Sequence, residues 1–237
     1  MLFKSSFTLL CIFLFACSSI AQLNPELTYG TVKDIDGNNY ITIKIGTQTW
    51  MAENLRTTKY RDGSKIPLVS DSTRWATNLN NETTLPMMCW YNNDQATYTA
   101  NEFGALYNWY AVNPSTNGNN NVCPTGWHVP TQGEWSTLIK FLGVDAGGRM
   151  KNKGTQYWAS PNAGATNSSG FSGLPGGFRG SDGAFAGTRK NGYFWSSTGD
   201  EDIVDVAWSF PLVSKSAFVN WYLLTKSSGF SVRCLRD

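Results

Sequence analysis

The chain has 237 residues, of which 41% are hydrophobic, 14% aromatic and 15% charged, with a formal net charge of +2 at pH 7. Soluble domains carry roughly 25% charged residues, and ten tryptophans with 23 glycines are typical of a rigid, turn-rich globular domain. This composition excludes a disordered chain. Nineteen basic against 17 acidic residues also exclude a nucleic-acid binder that relies on a strong basic field.

The N-terminus has the features of a secretory signal. Lys4 precedes the apolar run 7–16, which is too short to span a bilayer as a stable helix. The small residues of Ser19-Ile20-Ala21 suit a signal peptidase, so we expect removal of residues 1–21. We therefore predict an exported protein, secreted or on the outer cell surface, without a transmembrane helix after signal removal.

An alternative interpretation of the same segment is a lipoprotein signal. Leu14-Phe15-Ala16-Cys17 approximates a lipoprotein box, which would make Cys17 a lipid-anchored first residue. Phe15 is bulky for its position in such a box, and this favours simple secretion over lipidation.

Three cysteines remain after cleavage at Ala21, namely Cys89, Cys123 and Cys234. In an oxidising compartment they allow three pairings and leave one thiol. Cys123 lies at the entry to a helix-like stretch and Cys234 in the last strand-like run, which favours a Cys123–Cys234 disulfide. Cys89, flanked by methionines and Trp90, is predicted to be a buried small hydrophobe.

The N-terminal part of the chain predicts β structure. Two alternating runs across residues 31–50 flank the turn signal Asp36-Gly37-Asn38 and indicate a hairpin. A short strand or its exit is expected at 50–55, followed by a tight turn at Arg61-Asp62-Gly63. Residues 70–85 are polar and indicate a surface loop, with one helical turn at 72–76.

Two helices are predicted in the middle of the chain. The first covers 103–112, where Phe103, Leu106, Tyr107 and Tyr110 follow the helical period. The second begins at the N-cap Thr131 with Glu134 three residues on, the pattern of a capping box, and stops at Gly143.

The C-terminal part is predicted to contain loops and then strands. Residues 147–192 are glycine-rich without a sustained period, which indicates long ordered loops with short strands. Strand-like runs follow at 192–198, 203–212 and 230–234, with 219–224 as a further candidate. This order predicts an α+β fold with helices packed beside an antiparallel sheet.

A series of short motifs links the chain to a known family. In order they are Trp50-Met-Ala-Glu-Asn-Leu, Tyr107-Asn-Trp-Tyr-Ala, Cys123-Pro-Thr-Gly-Trp-His-Val-Pro-Thr, Glu134-Trp135, Leu174-Pro-Gly-Gly-Phe-Arg, Phe194-Trp-Ser-Ser-Thr and Gly229-Phe-Ser-Val-Arg-Cys. Together they resemble the Fibrobacter succinogenes major paralogous domain, found in secreted and surface proteins of Bacteroidetes and Fibrobacteres. The resemblance covers residues 29–237, which leaves 22–28 as a short linker.

The resemblance implies a C-type-lectin-like domain. Such a domain has two helices beside antiparallel strands, long ordered loops, and N- and C-terminal strands close together. More distantly the chain is similar to the sulfatase-modifying, formylglycine-generating fold. Many family members carry a close cysteine pair near Tyr91-Asn92-Asn93-Asp94, where this chain has Cys89 alone.

Enzymatic residue sets are sparse in the sequence. Formylglycine-generating chemistry needs two reactive thiols, whereas Cys123 and Cys234 are better explained by a disulfide. The only histidine, His128, is a candidate base, but its place before a helix cap favours a packed histidine bonded to backbone. An enzyme that uses His128 or the acidic segment at 200–205 stays an alternative.

Two groupings offer the oxygen ligands that calcium prefers. They are Asn92-Asn93-Asp94 and the acidic segment with Asp200, Asp202 and Asp205. Neither has a calcium-loop spacing and short acidic clusters are usually solvated, so exposed turns are the favoured interpretation and calcium the weaker one. No other cofactor is predicted.

Aromatic residues give the strongest indication of binding, because flat rings stack on the apolar face of a sugar. Five tryptophans in helix or strand patterns are predicted to form core: Trp109, Trp127, Trp135, Trp195 and Trp208. The aromatics in loop-like segments are predicted to be exposed and to bind ligand: Trp75, Trp90, Tyr91, Tyr157 and Trp158. Arg179 is expected either to contact the ligand or to brace loops through a carboxylate.

The predicted function is therefore non-catalytic binding of a glycan or a surface protein. A structural or adhesin subunit of a surface assembly is a further alternative.

Overall fold

The structure is a computed structural model that describes residues 23–77 and 84–237. The predicted leader, with Cys17, lies outside these residues. Twelve strands in the described residues are β1 (Tyr29–Lys33), β2 (Asn39–Ile45), β3 (Gln48–Met51), β4 (Met88–Cys89), β5 (Leu106–Tyr107), β6 (Trp127–His128), β7 (Phe178–Arg179), β8 (Phe185–Ala186), β9 (Asn191–Gly199), β10 (Val206–Val213), β11 (Tyr222–Thr225) and β12 (Leu235–Arg236). Five α-helices in the same ranges are α1 (Ser72–Ala76), α2 (Gln95–Ala100), α3 (Trp109–Val112), α4 (Gln132–Leu142) and α5 (Ala146–Met150).

The strands form several small sheets, which confirms the α+β class. The largest has the order β1-β2-β3-β12-β6, and a three-stranded sheet has the order β11-β10-β9. The pairs β4-β5 and β7-β8 form two-stranded ribbons. Because β12 lies between β3 and β6, with Leu235 opposite both Trp50 and His128, the C-terminal strand is built into the N-terminal sheet.

The predicted N-terminal hairpin is confirmed and extended by one strand. β1 and β2 pair antiparallel from Tyr29–Ile43 to Lys33–Asn39, and Gly37 takes a positive φ of 87° in the turn between them. A second turn at Gly46, also at positive φ, separates β2 from β3. The predicted turn at Gly63 is closed by a hydrogen bond from its N–H to the carbonyl of Tyr60.

Helix α4 begins and ends where the sequence predicts. The side chain of Thr131 accepts from the N–H of Glu134, whose carboxylate accepts from the N–H of Thr131. This reciprocal capping box satisfies two N–H groups that the first turn would leave unpaired. Gly143 ends the helix at a φ of 83°. The predicted turn of helix at 72–76 is also present as α1, capped by Asp71.

The predicted helix over 103–112 is wrong for most of its length. Gly104 lies at a φ of +74°, and the next residues form strand β5, which pairs with β4. Helix α3 starts only at Trp109, after Asn108 accepts from the N–H of Ala111. The whole segment from Phe103 to Val112 is buried, so the spacing of its large apolar residues does not mark one helical face. The structure thus has one helix of three turns, α4, and four shorter helices in the described residues.

The C-terminal strands β9, β10 and β11 confirm three of the four predicted runs, with shifted ends. The run 230–234 is wrong as a strand. Phe230 and Ser231 form only isolated bridges, to Tyr107 and Phe194, and regular pairing begins at Leu235. Through these bridges, Phe230 connects the C-terminal segment to β5, and Ser231 connects it to β9 of the three-stranded sheet.

The core lies between α4 and the sheets, and 20 of the 48 buried hydrophobic residues in the described ranges are aromatic. Trp135 of α4 stacks on Phe210 with ring centroids 5.0 Å apart, and it contacts Trp50 at 4.8 Å. The predicted core tryptophans Trp109, Trp127, Trp135 and Trp195 are buried, and Trp208 is half-buried. Such rings remove large apolar areas from water, so each of them contributes strongly to the core.

The predicted disulfide is present. Cys123 and Cys234 are bonded across a sequence separation of 111 residues, with Cα atoms 5.8 Å apart. Cys89 is free and fully buried, as predicted, and burial raises its thiol pKa to about 12. Within residues 23–77 and 84–237 no helix has the length and apolarity needed to cross a membrane.

Candidate functional site

The loop aromatics that the sequence predicts to be exposed are all buried. At most 6% of the surface of each is exposed: Trp75, Trp90, Tyr91, Tyr157 and Trp158. The prediction of exposure is wrong because the polar segments around these rings lie across the core, and the rings anchor them to it. Trp158, for example, donates its indole N–H to the carbonyl of Gly173 at 2.9 Å. A glycan cannot reach these faces in this conformation.

Arg179 braces loops, but through carbonyls and not through a carboxylate. Its guanidinium donates to the carbonyls of Val69 at 2.6 Å, Ser70 at 3.0 Å and Gly183 at 3.0 Å. The rings of Trp75 and Phe185 lie 4.5 and 4.7 Å from its central carbon. Arg179 is fully buried, so its charge is compensated by carbonyl dipoles and ring faces, not by a ligand.

A second buried arginine joins two of the sequence motifs. Arg233 donates from Nε to the side-chain oxygen of Asn54 at 2.9 Å and from Nη2 to the carbonyl of Ser172 at 2.9 Å. Its guanidinium lies 4.3 Å from the ring of Phe171. Burial lowers the pKa of Arg233 to about 9, despite the opposing effect of Glu53 and Glu102. The motifs around Asn54 and Arg233 therefore hold the fold together.

His128 is bound by carboxylates, so the expectation of backbone partners is wrong. Nδ1 lies 2.6 Å from Oδ1 of Asp237, and Nε2 lies 2.9 Å from Oε1 of Glu134. Partial burial works against the imidazolium charge, but the two carboxylates outweigh it and raise the pKa of His128. The ring lines a cavity of about 130 Å³ with Thr131 and Ser197.

This arrangement has little capacity for acid–base catalysis. A general base needs a ring nitrogen within reach of a substrate proton, and both nitrogens of His128 are already engaged. The cavity is also smaller than the roughly 300–1,000 Å³ of most ligand pockets.

The two groupings considered for calcium act as local caps and turns. Asp94 accepts from the N–H of Thr97 at the start of α2, after Asn92 and Asn93 at positive φ. Asp200 accepts from the N–H groups of Asp202 and Ile203. Among the described residues no three His, Cys, Asp or Glu side chains form a group able to hold a metal, so Asp200, Asp202 and Asp205 do not converge on one.

One aromatic surface was missed by the sequence analysis. All ten tryptophans lie in the described residues, eight are buried and Trp208 is half-buried, whereas Trp221 is 50% exposed. Tyr222, the next residue and the first of β11, is 48% exposed. Trp221 lies in a strand-like run, which predicts core, but β11 pairs on one side only and forms the edge of its sheet. No signal in the neighbouring sequence separates this tryptophan from the others, since the buried Trp109 also follows an asparagine, Asn108.

A groove crosses the five-stranded sheet. Gly30, Thr31 and Val32 of β1 line a cavity of about 400 Å³ together with Trp127 of β6 and Arg236 of β12. Since β1 and β6 are the two edges of this sheet, the cavity extends from one edge of the sheet to the other. A second cavity, of about 200 Å³, adjoins it at Thr125, which lines both.

Comparison with known proteins identifies a family and no individual relative. No curated protein and no solved structure matches the chain. The family model of the Fibrobacter succinogenes major domain matches residues 43–236, from β2 to β12, and includes every motif from Trp50 to Cys234. The chain therefore belongs to the Fibrobacter succinogenes major domain family, as its motifs predict.

Proposed function

We propose that this protein is an exported, non-catalytic binding domain that contacts a glycan through Trp221 and Tyr222. The observation that carries the proposal is the exposure of Trp221 in a domain that covers its other nine tryptophans wholly or in part. Leaving half of a large apolar ring in water forgoes free energy that burial would supply. A sugar ring offers an apolar C–H face that such an indole can stack on.

The neighbours of Trp221 suit a sugar. Asn220 is exposed and supplies an amide that can both donate and accept. Tyr222 adds a hydroxyl beside Tyr193. Burial raises the pKa of Tyr193, and the nearby Tyr222 raises it further. An apolar plate flanked by a few polar groups is the usual composition of a small-molecule site. The engaged nitrogens of His128 support a binding role over catalysis.

The arrangement is compatible with a C-type-lectin-like domain, which we include in the proposal. In its support, the C-terminal strand pairs beside β3 near the N-terminus, a disulfide ties this strand to the middle of the chain, and long loops are held by buried anchors.

Affinity electrophoresis tests the glycan proposal. The mature chain, from residue 22, is run in gels that contain xyloglucan, galactomannan, laminarin or pullulan. We expect retardation in at least one gel and its loss in Trp221→Ala. Phe141→Ala is the control, because Phe141 is 64% exposed on α4, lies against Gly46, and is not part of β11. Equal retardation of both variants, or none for the unaltered chain, would refute the proposal.

A protein partner is the second candidate, favoured by the edge position of β11. The outer edge of β11 has no strand beside it in the described residues, and Phe218 and Trp221 are exposed next to it. Open strand edges accept an added strand from a partner. Pull-down from outer-membrane fractions with the unaltered chain, Trp221→Ala and Phe141→Ala separates this function, and an adhesin role, from glycan binding.

Export is part of the proposal and rests on the leader. Mass spectrometry of the protein recovered from its native host distinguishes a mature chain that begins at Gln22 from one that begins at a lipidated Cys17. Retention of residues 1–21 in the host would contradict export.

A further inference from the structure

The five-stranded sheet carries hydroxyl groups that have no hydrogen-bond partner among residues 23–77 and 84–237. We name the sheet groove as the two adjoining cavities that share Thr125, one lined by β1, β6 and β12 and the other by Lys33 and Arg61. Thr125 is the residue that the two cavities share, and it marks the place where they meet. Their volumes are about 400 and 200 Å³.

Hydroxyl groups line the larger cavity. Thr31, Thr42, Thr49 and Thr125 all contribute to its wall. None of these hydroxyls makes a hydrogen bond to another group in the part of the chain that the structure describes. Hydroxyls that are not used by the fold can donate to and accept from a ligand.

Three cations lie along the sheet groove, with Lys33 and Arg61 in one cavity and Arg236 in the other. All three are exposed, and none forms an ion pair within residues 23–77 and 84–237. Arg61 is nevertheless held in place, because it donates to the carbonyls of Pro124 at 3.0 Å and Trp127 at 2.6 Å. A fixed guanidinium without a carboxylate partner is suited to an anionic ligand.

Three carboxylates lie near these cations: Asp34 in the lining, and Asp62 and Asp237, which follow Arg61 and Arg236 in the chain. Asp34 lines the smaller cavity but accepts from the N–H of Asn38 at 2.8 Å and from the hydroxyl of Tyr40 at 2.6 Å. Asp237, which follows Arg236, lies against His128. Asp62 accepts from the N–H and the hydroxyl of Ser64. The linings contain three cations and one carboxylate, Asp34, so the net charge of the sheet groove is positive.

We propose that the sheet groove binds a segment of an acidic polysaccharide. Carboxylate or sulfate groups of the polymer pair with Lys33 and Arg61 at one end and with Arg236 at the other, and the sugar hydroxyls bond to the threonines. Cations in both cavities favour a chain of linked sugars over a single small anion. The one aromatic in its lining, Trp127, is buried, so the groove lacks the exposed stacking platform with which proteins hold single-stranded nucleic acid. This site is separate from Trp221 and does not depend on the function proposed there.

Binding of defined polymers tests the sheet groove. Isothermal titration of the mature chain uses polygalacturonate for carboxylates, dextran sulfate for sulfates, and neutral dextran and a single-stranded oligodeoxythymidine for comparison. We expect binding to at least one acidic polysaccharide at low salt and its weakening at high salt, since ions screen exposed charges. Binding to neutral dextran with equal affinity, tighter binding to the oligonucleotide, or no binding to either acidic polymer would overturn the proposal.

Variants assign the binding to this groove. Lys33→Gln and Arg236→Gln should each weaken binding about threefold, and the double variant about tenfold, the range expected for exposed charge pairs. Lys140→Gln, which removes an exposed lysine of α4, is the matched control and should bind as the unaltered chain does. Thr125→Glu keeps every cation and adds a negative charge where the two cavities meet, so it should also lose binding. If the double variant and Thr125→Glu bind like Lys140→Gln, the site is elsewhere and the proposal is wrong.

Discussion

The carboxylate of Glu134 binds His128 of β6 and also caps its own helix, α4. Oε1 of Glu134 lies 2.9 Å from Nε2 of His128, and Oε2 accepts from the N–H of Thr131 at 2.7 Å. The same side chain therefore closes the cap of α4 and fixes the histidine of β6. Since Nδ1 of His128 lies 2.6 Å from Asp237, the imidazolium links the C-terminal segment to the helix.

This link should make stability depend on pH in a defined window. The pKa of His128 is raised above its ordinary 6.5, so its contribution is complete below about pH 6.5 and is lost as pH rises through the raised value. The pKa of Glu134 is lowered below its ordinary 4.5, through the hydrogen bonds from Thr131 and His128 that outweigh burial. Its contribution is complete above about pH 4.5 and is lost as pH falls through the lowered value. The pair thus stabilises the fold most between about pH 4.5 and 6.5.

The variant His128→Gln removes the charge of the imidazolium, and its stability is compared with that of the unaltered chain at several pH values. Both side chains are about a third exposed, so the charged contact should contribute on the order of 1 kcal/mol. Urea unfolding of both proteins should give the largest difference in free energy of unfolding near pH 5.5 and a difference smaller by about that amount at pH 8.5. A difference that does not change with pH would contradict the charged pair, because Gln retains neutral hydrogen bonds only.

The Cys123–Cys234 disulfide should contribute strongly to stability. In the chain-entropy model, closing a loop with a separation of 111 residues is worth about 4 to 5 kcal/mol. We expect Cys123→Ala with Cys234→Ala to lower the free energy of unfolding by up to that amount, measured by urea unfolding. A reductant should affect the unaltered chain and not the double variant.

Cys89→Ala is the control for the disulfide. Cys89 is buried and forms no disulfide in the described residues, so the stability of this variant should still fall when a reductant is added. The thiol of Cys89 should react with iodoacetamide only after unfolding, because burial raises its pKa to about 12. Rapid alkylation of the folded chain would be inconsistent with this burial.

Arg179 should stabilise the fold without touching a ligand. Arg179→Met leaves the carbonyls of Val69, Ser70 and Gly183 without their donor, and we expect a loss of about 3 kcal/mol in the free energy of unfolding. Arg189→Met is the matched control, because Arg189 also donates to two carbonyls but is exposed, and it should cost under about 1 kcal/mol. A stable Arg179→Met that has lost polysaccharide binding would instead assign Arg179 to the ligand.

The features predicted well from sequence are those that neighbouring residues determine. The capping box of Thr131 and Glu134, the turn at Gly37 and the helical turn at 72–76 all depend on contacts within a few positions. The positions of Cys123 at a helix entry and Cys234 in the last strand-like run also select the correct one of three possible pairings. The family motifs then gave the correct family, although their arginines turn out to be buried braces.

The candidate site could not be predicted because exposure depends on how distant segments pack. Trp158 lies in loop-like sequence and is buried, whereas Trp221 lies in strand-like sequence and is exposed at a sheet edge. Local polarity does not reveal which loops lie across the core or which strand lacks a neighbour. The sheet groove likewise exists only because β1 and β6, almost 100 residues apart in the chain, line one cavity.

Gly104 interrupts the helix that the spacing of apolar residues predicts over 103–112. Substitution by alanine tests why a glycine is needed at this position. A Cβ at this position would lie 2.6 Å from Cβ of Asn54 and 2.7 Å from the carbonyl oxygen of Leu55, at a φ of +74°. Gly154 has a similar φ of +79° with no atom within 4 Å of the added Cβ. Gly154→Ala should therefore cost only the backbone strain, about 1 kcal/mol. Gly104→Ala should cost about 2 kcal/mol more, because the segment of Asn54 must move. Thermal and urea unfolding of the two variants measure that difference. Equal stability of the two would mean that backbone strain alone, and not the close approach to Asn54, keeps this position as glycine.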